Sequence, residues 1–411
     1  MHFQKLPGVR GTNSSTRRDF LVASAAGVIA LVQAPGSPAW GEEPEMDDEL
    51  LYVGSYTDET RPEGIHVIHM NRRTGKLRLV SSVNAGPGPS FLAIHPNGRV
   101  LYAVNEIAKY NGRASGAVIS LDIARDTGAL TKRSEQSSEG AAPCYVSVDR
   151  SGKVVLVANY SGGNVAVLPL TSDGALTRST YIEQHAPSKE SPSGRNVPHA
   201  HCIVMDPANR FGLAADLGLD RVFVYRLDLG KNTLSHVDGG DAVMPKGAGP
   251  RHLAFHPTLN LVFVANELDS TVSTLRFDPQ RGALSLIDTR TTLPPGWAGK
   301  NYPGDIHIAP SGRTLYVSNR GHNSIAVFSV TGSTGALALE QLVSTGGDWP
   351  RNFSLDPTGR WLLVANQRSD SVVVLARDSK SGHLTTTRER INLARPACVR
   401  FRANVELTAH A

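Results

Sequence analysis

Cysteine, aromatic residues and charge are all scarce in this chain of 411 residues. Three cysteines, Cys144, Cys202 and Cys398, allow at most one disulfide, so a hydrophobic core rather than a covalent framework must hold the fold. No C-x-x-C pair occurs, which argues against a thiolate zinc site. No G-x-S-x-G elbow occurs either, so nothing points to a serine nucleophile of the α/β-hydrolase kind. Aromatics make up 6% and charged residues 19%, the latter against about 25% in average proteins, which excludes disorder and coiled coil. Glycine and proline are abundant instead, 39 and 25 residues, as expected of a turn-rich β chain.

The net charge of +5 is concentrated at one end. Residues 1–39 hold Lys5, Arg10, Arg17 and Arg18 against Asp19 alone, so the rest of the chain is nearly neutral and offers no basic stripe for nucleic acid. Arg17 and Arg18 precede the apolar run Leu21–Val32 and the small-residue site Ser37–Ala39. This reads as a cleavable twin-arginine-type signal peptide over 1–39 that engages the twin-arginine export machinery, leaving a single domain over 40–411 in the periplasm or outside the cell. The run spans 12 residues, whereas a membrane-crossing helix needs about 20, so no permanent membrane anchor is expected.

A short β-rich string recurs seven times: Leu51–Ser55, Leu101–Asn105, Leu156–Asn159, Leu213–Asp216, Phe263–Asn266, Tyr316–Asn319 and Leu363–Asn366. The ends of these strings are 47 to 57 residues apart. A second series keeps the same beat, with Gly75, Gly128, Gly174, Asn232, Gly282, Gly335 and Gly382 each standing two residues before a leucine. Between them, short alternating runs are broken by turns such as His95–Gly98 and Asp356–Gly359, the pattern of a four-stranded antiparallel meander. Seven such units predict an all-β, seven-bladed β-propeller. The domain opens with three strands from Leu50 onward and finishes with a lone strand, Ala397–Ala403, so pairing the two ends would complete one blade and close the ring.

In a meander, the start of the first strand and the end of the second lie at one end of the sheet. Aligning the units therefore predicts two neighbouring rings at one channel mouth. Ser90, Cys144, His201, Arg251, Gly304, Arg351 and Ala397 form the first; Tyr56, Glu106, Tyr160, Leu217, Glu267, Arg320 and Gln367 form the second. So many different ionisable groups at equivalent positions suggest a site, although Arg251, Glu267, Arg320 and Arg351 also suit inter-blade ion pairs. His199 and His201 could chelate a metal as an H-x-H pair, but spacing supplies no third ligand, so neither metal nor cofactor is expected. His252 and Asp305, one residue beyond ring positions, are expected to point away from the mouth. His95, His256 and His307 are expected in turns or blade packing.

At these residues the sequence resembles the lactonase family of seven-bladed propellers, which includes bacterial 6-phosphogluconolactonases and fungal carboxy-muconate cyclases. The resemblance is carried by Pro198–His201, Asp216–Val222, Gly249–His252, Asn266–Asp269, Ser318–His322 and Asp348–Asn352, in order and at blade spacing. It implies a catalytic set of Glu267, Arg251, Arg320 and His201 (or His199), the same positions that the hairpin argument selects. Substrate contacts are expected from His199, Arg351, Glu106, Asn266 and Asn319. Asp305 stands where the family commonly carries Glu, which leaves the charge intact.

The implied reaction is the opening of a sugar lactone, phosphorylated or plain, to its aldonic acid. Glu267 would act as general base and Arg251 and Arg320 would hold the oxyanion. His201 would protonate the leaving alkoxide, oriented by His199. Two other readings of the same mouth are a lactonising cyclase or isomerase of unsaturated carboxylic acids and a non-catalytic periplasmic binding module. The loop-like segment Tyr181–Val197, which borders the two histidines, is a candidate lid.

Overall fold

The computed structural model describes residues 48–186 and 197–402; the leader read at 1–39 and the centre of the candidate lid lie outside them. The described residues form seven antiparallel sheets, each with four strands in sequential order apart from one short addition. Blades two to seven begin at Leu92, Pro143, Ala200, Pro250, Tyr302 and Pro350. Blade one takes its innermost strand from the C-terminal side, Pro396–Phe401, which pairs antiparallel with Asp48–Ser55. First strands of neighbouring blades touch all the way round, blade seven meeting blade one and blade one meeting blade two, so the circle is complete. Among the described residues the only helical segments are two single 3₁₀ turns, Gly332–Thr334 and Gln367–Ser369.

The recurring apolar string is the second strand of each blade. Val100–Asn105, Val154–Asn159, Phe211–Asp216, Leu261–Asn266 and Trp361–Asn366 are buried at every residue but for a slight exposure of some side chains. These strands are covered on both faces by the adjacent blades, which is why they read as continuous apolar runs rather than as alternation. Outermost strands such as Leu384–Asn392 are largely exposed.

The two repeat series keep one beat because they touch. Tyr52 donates its hydroxyl to the carbonyl of Gly128 (3.0 Å), Tyr102 to Gly174 (2.8 Å) and Tyr316 to Gly382 (2.7 Å), each time from one blade's second strand to the next blade's outer turn. Those glycines sit at φ of 70°, 87° and 78°, a left-handed conformation that a side chain disfavours. His95 and His256 do similar work, reaching the carbonyls of Gly152 and Gly312 at 3.1 Å.

The asparagine that ends the repeated string is also structural. Asn105, Asn159, Asn319 and Asn366 donate their side-chain amides to carbonyls of the connection arriving from the preceding blade, Ala85, Ser138, Thr292 and Thr345, at 2.8–3.0 Å. In blade four Asp216 replaces it and accepts from His185 Nδ1 at 2.7 Å, with both side chains fully buried. The beginning of the candidate lid is therefore ordered structure: Tyr181–Gln184 is the outer strand of blade three and His185 is anchored.

Candidate active site

In six of the seven blades the ring residue of the first strand sits at a break in strand pairing. In blade three the register passes from Pro143 to Tyr145, in blade four from Ala200 to Cys202, and in blade five from Pro250 to His252. Blade seven skips from Pro350 to Asn352 and blade one from Pro396 to Cys398. The unpaired residues are Cys144, His201, Arg251, Arg351 and Ala397, five of the seven aligned from sequence. Blade six has a wider break that leaves both Gly304 and Asp305 unpaired. A β-bulge bends its strand and re-aims a side chain, and here the same device recurs around the channel. Gly304 has no room for a side chain, since a Cβ would stand 2.8–2.9 Å from Ser318 Oγ and from the carbonyls of Pro350 and Arg351.

The second ring meets the first. Glu267, just beyond Leu261–Asn266, lies with Oε2 2.9 Å from Arg251 Nε and 2.7 Å from Arg320 Nη2. Arg320 is fixed further by the carbonyls of Tyr302 (2.9 Å) and Pro303 (3.2 Å). Arg251 donates through Nη1 to the Gly304 carbonyl, while its Nε is buried and unaligned for a hydrogen bond to Glu267. A second cluster gathers on Glu106, whose Oε2 accepts from Tyr56 (2.7 Å) and Ser90 (2.5 Å) and lies 3.8 Å from Arg351 Nη2. Arg351 packs over the Tyr56 ring at 5.2 Å. The arginines and glutamates of the two rings are thus ion-paired, as structural charges would be, and still gathered on one mouth.

Electrostatics assigns the protonation states. Burial favours the neutral form of Glu267, but Arg320 and Arg251 outweigh it and hold the carboxyl below its ordinary value. Burial, opposed by Glu267, pulls Arg320 down to about 10, so it remains charged near neutrality. His201 is 5% exposed; burial first, then the charge of Arg251, hold it well below its ordinary value. It is therefore held as a neutral imidazole near neutral pH, which weighs against the proton-donor role expected from the sequence.

His199 and His201 both meet Tyr160. The Nδ1 of His199 binds the Tyr160 carbonyl (3.0 Å) and its ring stacks on Tyr160, whose own ring meets His201 edge-on at 5.5 Å. Asn266 and Asn319 are the clearest departures from expectation. Both are fully buried; Asn266 donates to Thr271 and Ser273 (2.8 and 2.9 Å), and Asn319 belongs to the blade clamps. Strand alternation turns these residues away from the mouth that their neighbours Glu267 and Arg320 face.

Some residues were missed. His252 and Asp305 do not point away: they pair at 2.7 Å beneath Arg251, because the bulges displace the alternation on which that expectation rested. A cavity of about 610 Å³ opens from Glu267 along Tyr302, Gly321 and Trp349 to Lys300, Asp348 and Arg368. Arg368 lies 3.4 Å above the Trp349 ring, and Arg320 lies 5.4 Å from it. Trp349 has φ of 63°, rare for a bulky residue, and is held there by a hydrogen bond from its N–H to Asn323 Oδ1 (3.0 Å). Only the Trp-Pro pair inside Asp348–Asn352 gave a hint of this wing in the sequence. Among the described residues no group of three metal-ligating side chains converges.

Comparison with known proteins gives the family of the chain. Residues 50–401 match the family described as Lactonase, 7-bladed beta-propeller. A 6-phosphogluconolactonase of Bacillus subtilis is 34% identical over 357 residues, 87% of this chain and 99% of that one. The solved structure of a periplasmic gluconolactonase of Pseudomonas aeruginosa superposes with a TM-score of 0.80 at 33% identity, covering 87% of this chain and 99% of its own. A protein from Lactobacillus plantarum gives a TM-score of 0.78 at 34% identity over 86% of this chain and 99% of its own.

Proposed function

The chain belongs to the lactonase family of seven-bladed β-propellers, and from that premise we propose that it hydrolyses a sugar lactone to the aldonate at the Glu267 mouth. The observation that carries the reading is one carboxylate held between two guanidiniums at the wall of a cavity large enough for a sugar acid. Ester hydrolysis needs a base for the attacking water and donors for the oxyanion, and this arrangement supplies both.

Glu267 takes the proton from water as it attacks the lactone carbonyl. A carboxylate so well paired is a reluctant base at rest. As charge builds on the carbonyl oxygen, however, that oxygen competes for Arg251 and Arg320, which loosens their hold on Glu267 and raises its affinity for the proton when it is needed. The tetrahedral intermediate collapses with cleavage of the ring C–O bond. Glu267, a strong acid once protonated, then returns the proton to the departing alkoxide. His201 remains neutral and packs the mouth beside Tyr160. Arg351, stacked on Tyr56 and near Glu106, shapes the opposite wall.

Lys300 and Arg368 line the same cavity as Glu267, beside Asp348, so two cations outnumber the one carboxylate of this wing. Two such cations suit an anionic group at the far end of the substrate, which favours a phosphorylated or carboxylated lactone over a plain one. Export by the leader is part of this proposal, and it sets the enzyme on lactones outside the cytoplasm; the periplasmic relative supports it. The test follows acid release from a panel of plain and phosphorylated aldonolactones, with spontaneous hydrolysis subtracted. No release from any lactone by a folded protein would replace this reading with the cyclase or binding-module alternative.

A further inference from the structure

Beside Arg251, three blades meet on one buried carboxylate and a fourth joins them through Asn352. Asp305 is 4% exposed, and both oxygens of its carboxylate are hydrogen-bonded. Oδ1 faces His252 Nδ1 at 2.7 Å, from blade five. Oδ2 accepts from His307 Nε2 at 3.0 Å, from Asn352 Nδ2 and from the Phe353 N–H at 3.4 Å, in blades six and seven. Asn352 in turn accepts from the Val399 N–H at 2.7 Å, in blade one. A carboxylate fixed from this many directions fixes the imidazole bonded to it. His252 must carry its proton on Nδ1, because an ionised carboxylate only accepts.

The ring so fixed carries Arg251. Nη1 of Arg251 lies 3.2 Å from Nε2 and 3.4 Å from Nδ1 of His252. Near-equal distances to two nitrogens of one ring put the guanidinium over its face rather than at its edge. The ring cannot slide, because Tyr145, Phe91 and His201 meet it edge-on at 5.1, 5.6 and 5.2 Å. Burial, and next the charge of Arg251, depress His252 to about 3, so the surface under the guanidinium is uncharged. Arg251 is itself 1% exposed, with a donor that the resting structure leaves unaligned.

We propose that His252, clamped by Asp305, is a positioning residue that sets the height and tilt of Arg251 for the developing oxyanion. The inference rests on the lactonase reading of the mouth. It assigns His252 and Asp305 no contact with substrate; they act through Arg251 alone.

The test is a double-mutant cycle on lactone hydrolysis, with kcat expressed per folded molecule. His252→Phe keeps a flat ring and removes the bond to Asp305, and Arg251→Lys keeps the charge and removes the planar fork. His252→Phe is expected to lower kcat about 10-fold with KM within about twofold, and the double variant to be no slower than Arg251→Lys alone. Multiplying losses would show a general packing role and overturn the inference, as would an unimpaired His252→Phe enzyme. Should His252→Phe fail to fold, Asp305→Glu and Asp305→Asn enter the same cycle, with the charged variant expected to keep more activity. Wild-type protein that opens no lactone would instead refute the reading of the mouth, and this inference with it.

Discussion

Replacing Glu267 by glutamine tests two consequences of one geometry. The substitution preserves shape and removes a charge that sits 2.9 Å from Arg251 and 2.7 Å from Arg320, guanidiniums only 1% and 4% exposed. Breaking a buried pair from one side leaves the partner charge uncompensated, at a cost of about 3–5 kcal/mol. Glu267 keeps 18% of its side chain exposed, so about 3 kcal/mol, the lower end, is expected. The site residue is therefore also a structural one. Loss of the base should lower kcat by about 10²–10⁴, or about 3–5.5 kcal/mol of barrier.

The sign of the pH dependence adds an internal control. The folded carboxyl titrates below its unfolded value, so its contribution is fully present above about pH 4.3 and disappears as pH falls through the depressed folded value. The stability gap between wild type and Glu267→Gln, measured by urea unfolding, should be full at pH 7 and shrink steadily below pH 4. Turnover is measured on the same samples under conditions where both proteins are folded. A folded Glu267→Gln enzyme within threefold of wild type would refute the base, and a gap that persists at the lowest pH would refute the ion-pair argument.

Other expectations follow from the same contacts. In wild type the acid limb of kcat/KM should fall below the ordinary glutamate range, and Arg320→Gln should move it upward, because burial then dominates the Glu267 carboxyl; a limb that stays put would separate the two residues. Removing both cations of the wing, Lys300→Gln with Arg368→Gln, should raise KM for a phosphorylated lactone about 10-fold and leave that for the plain lactone unchanged; equal shifts for both would mean that the wing does not read the anion. Tyr102→Phe removes a buried inter-blade hydrogen bond and should cost about 1–2 kcal/mol in unfolding with kcat unchanged, which would place the repeat contacts outside catalysis.

Much of the architecture was legible because a propeller is periodic. Strings such as Phe263–Asn266 and turns such as Gly128 recur because each blade must bury its second strand against the next and anchor its outer turn there, so packing leaves one imprint per repeat. The mouth was legible for a related reason. In a hairpin the start of the first strand and the end of the second coincide, and Arg251 and Glu267, 16 positions apart, do meet.

Sequence alone could not decide which side of a strand each polar residue takes. Alternation correctly turns Asn266 inward beside Glu267, yet the asparagine's chemistry looked equally suited to a site until its amide was seen bound to Thr271 and Ser273. At His252 the error ran the other way, since a bulge at Arg251 leaves no mark in composition or spacing and exists only as a mismatch between paired strands. The Lys300, Trp349 and Arg368 wing joins separate connections that become neighbours only when blades six and seven pack together. Protonation belongs to the same category: residue identity names Glu267 and His201 as titratable, but burial and the number of guanidiniums around them, which only the folded chain sets, keep the first an anion and the second neutral.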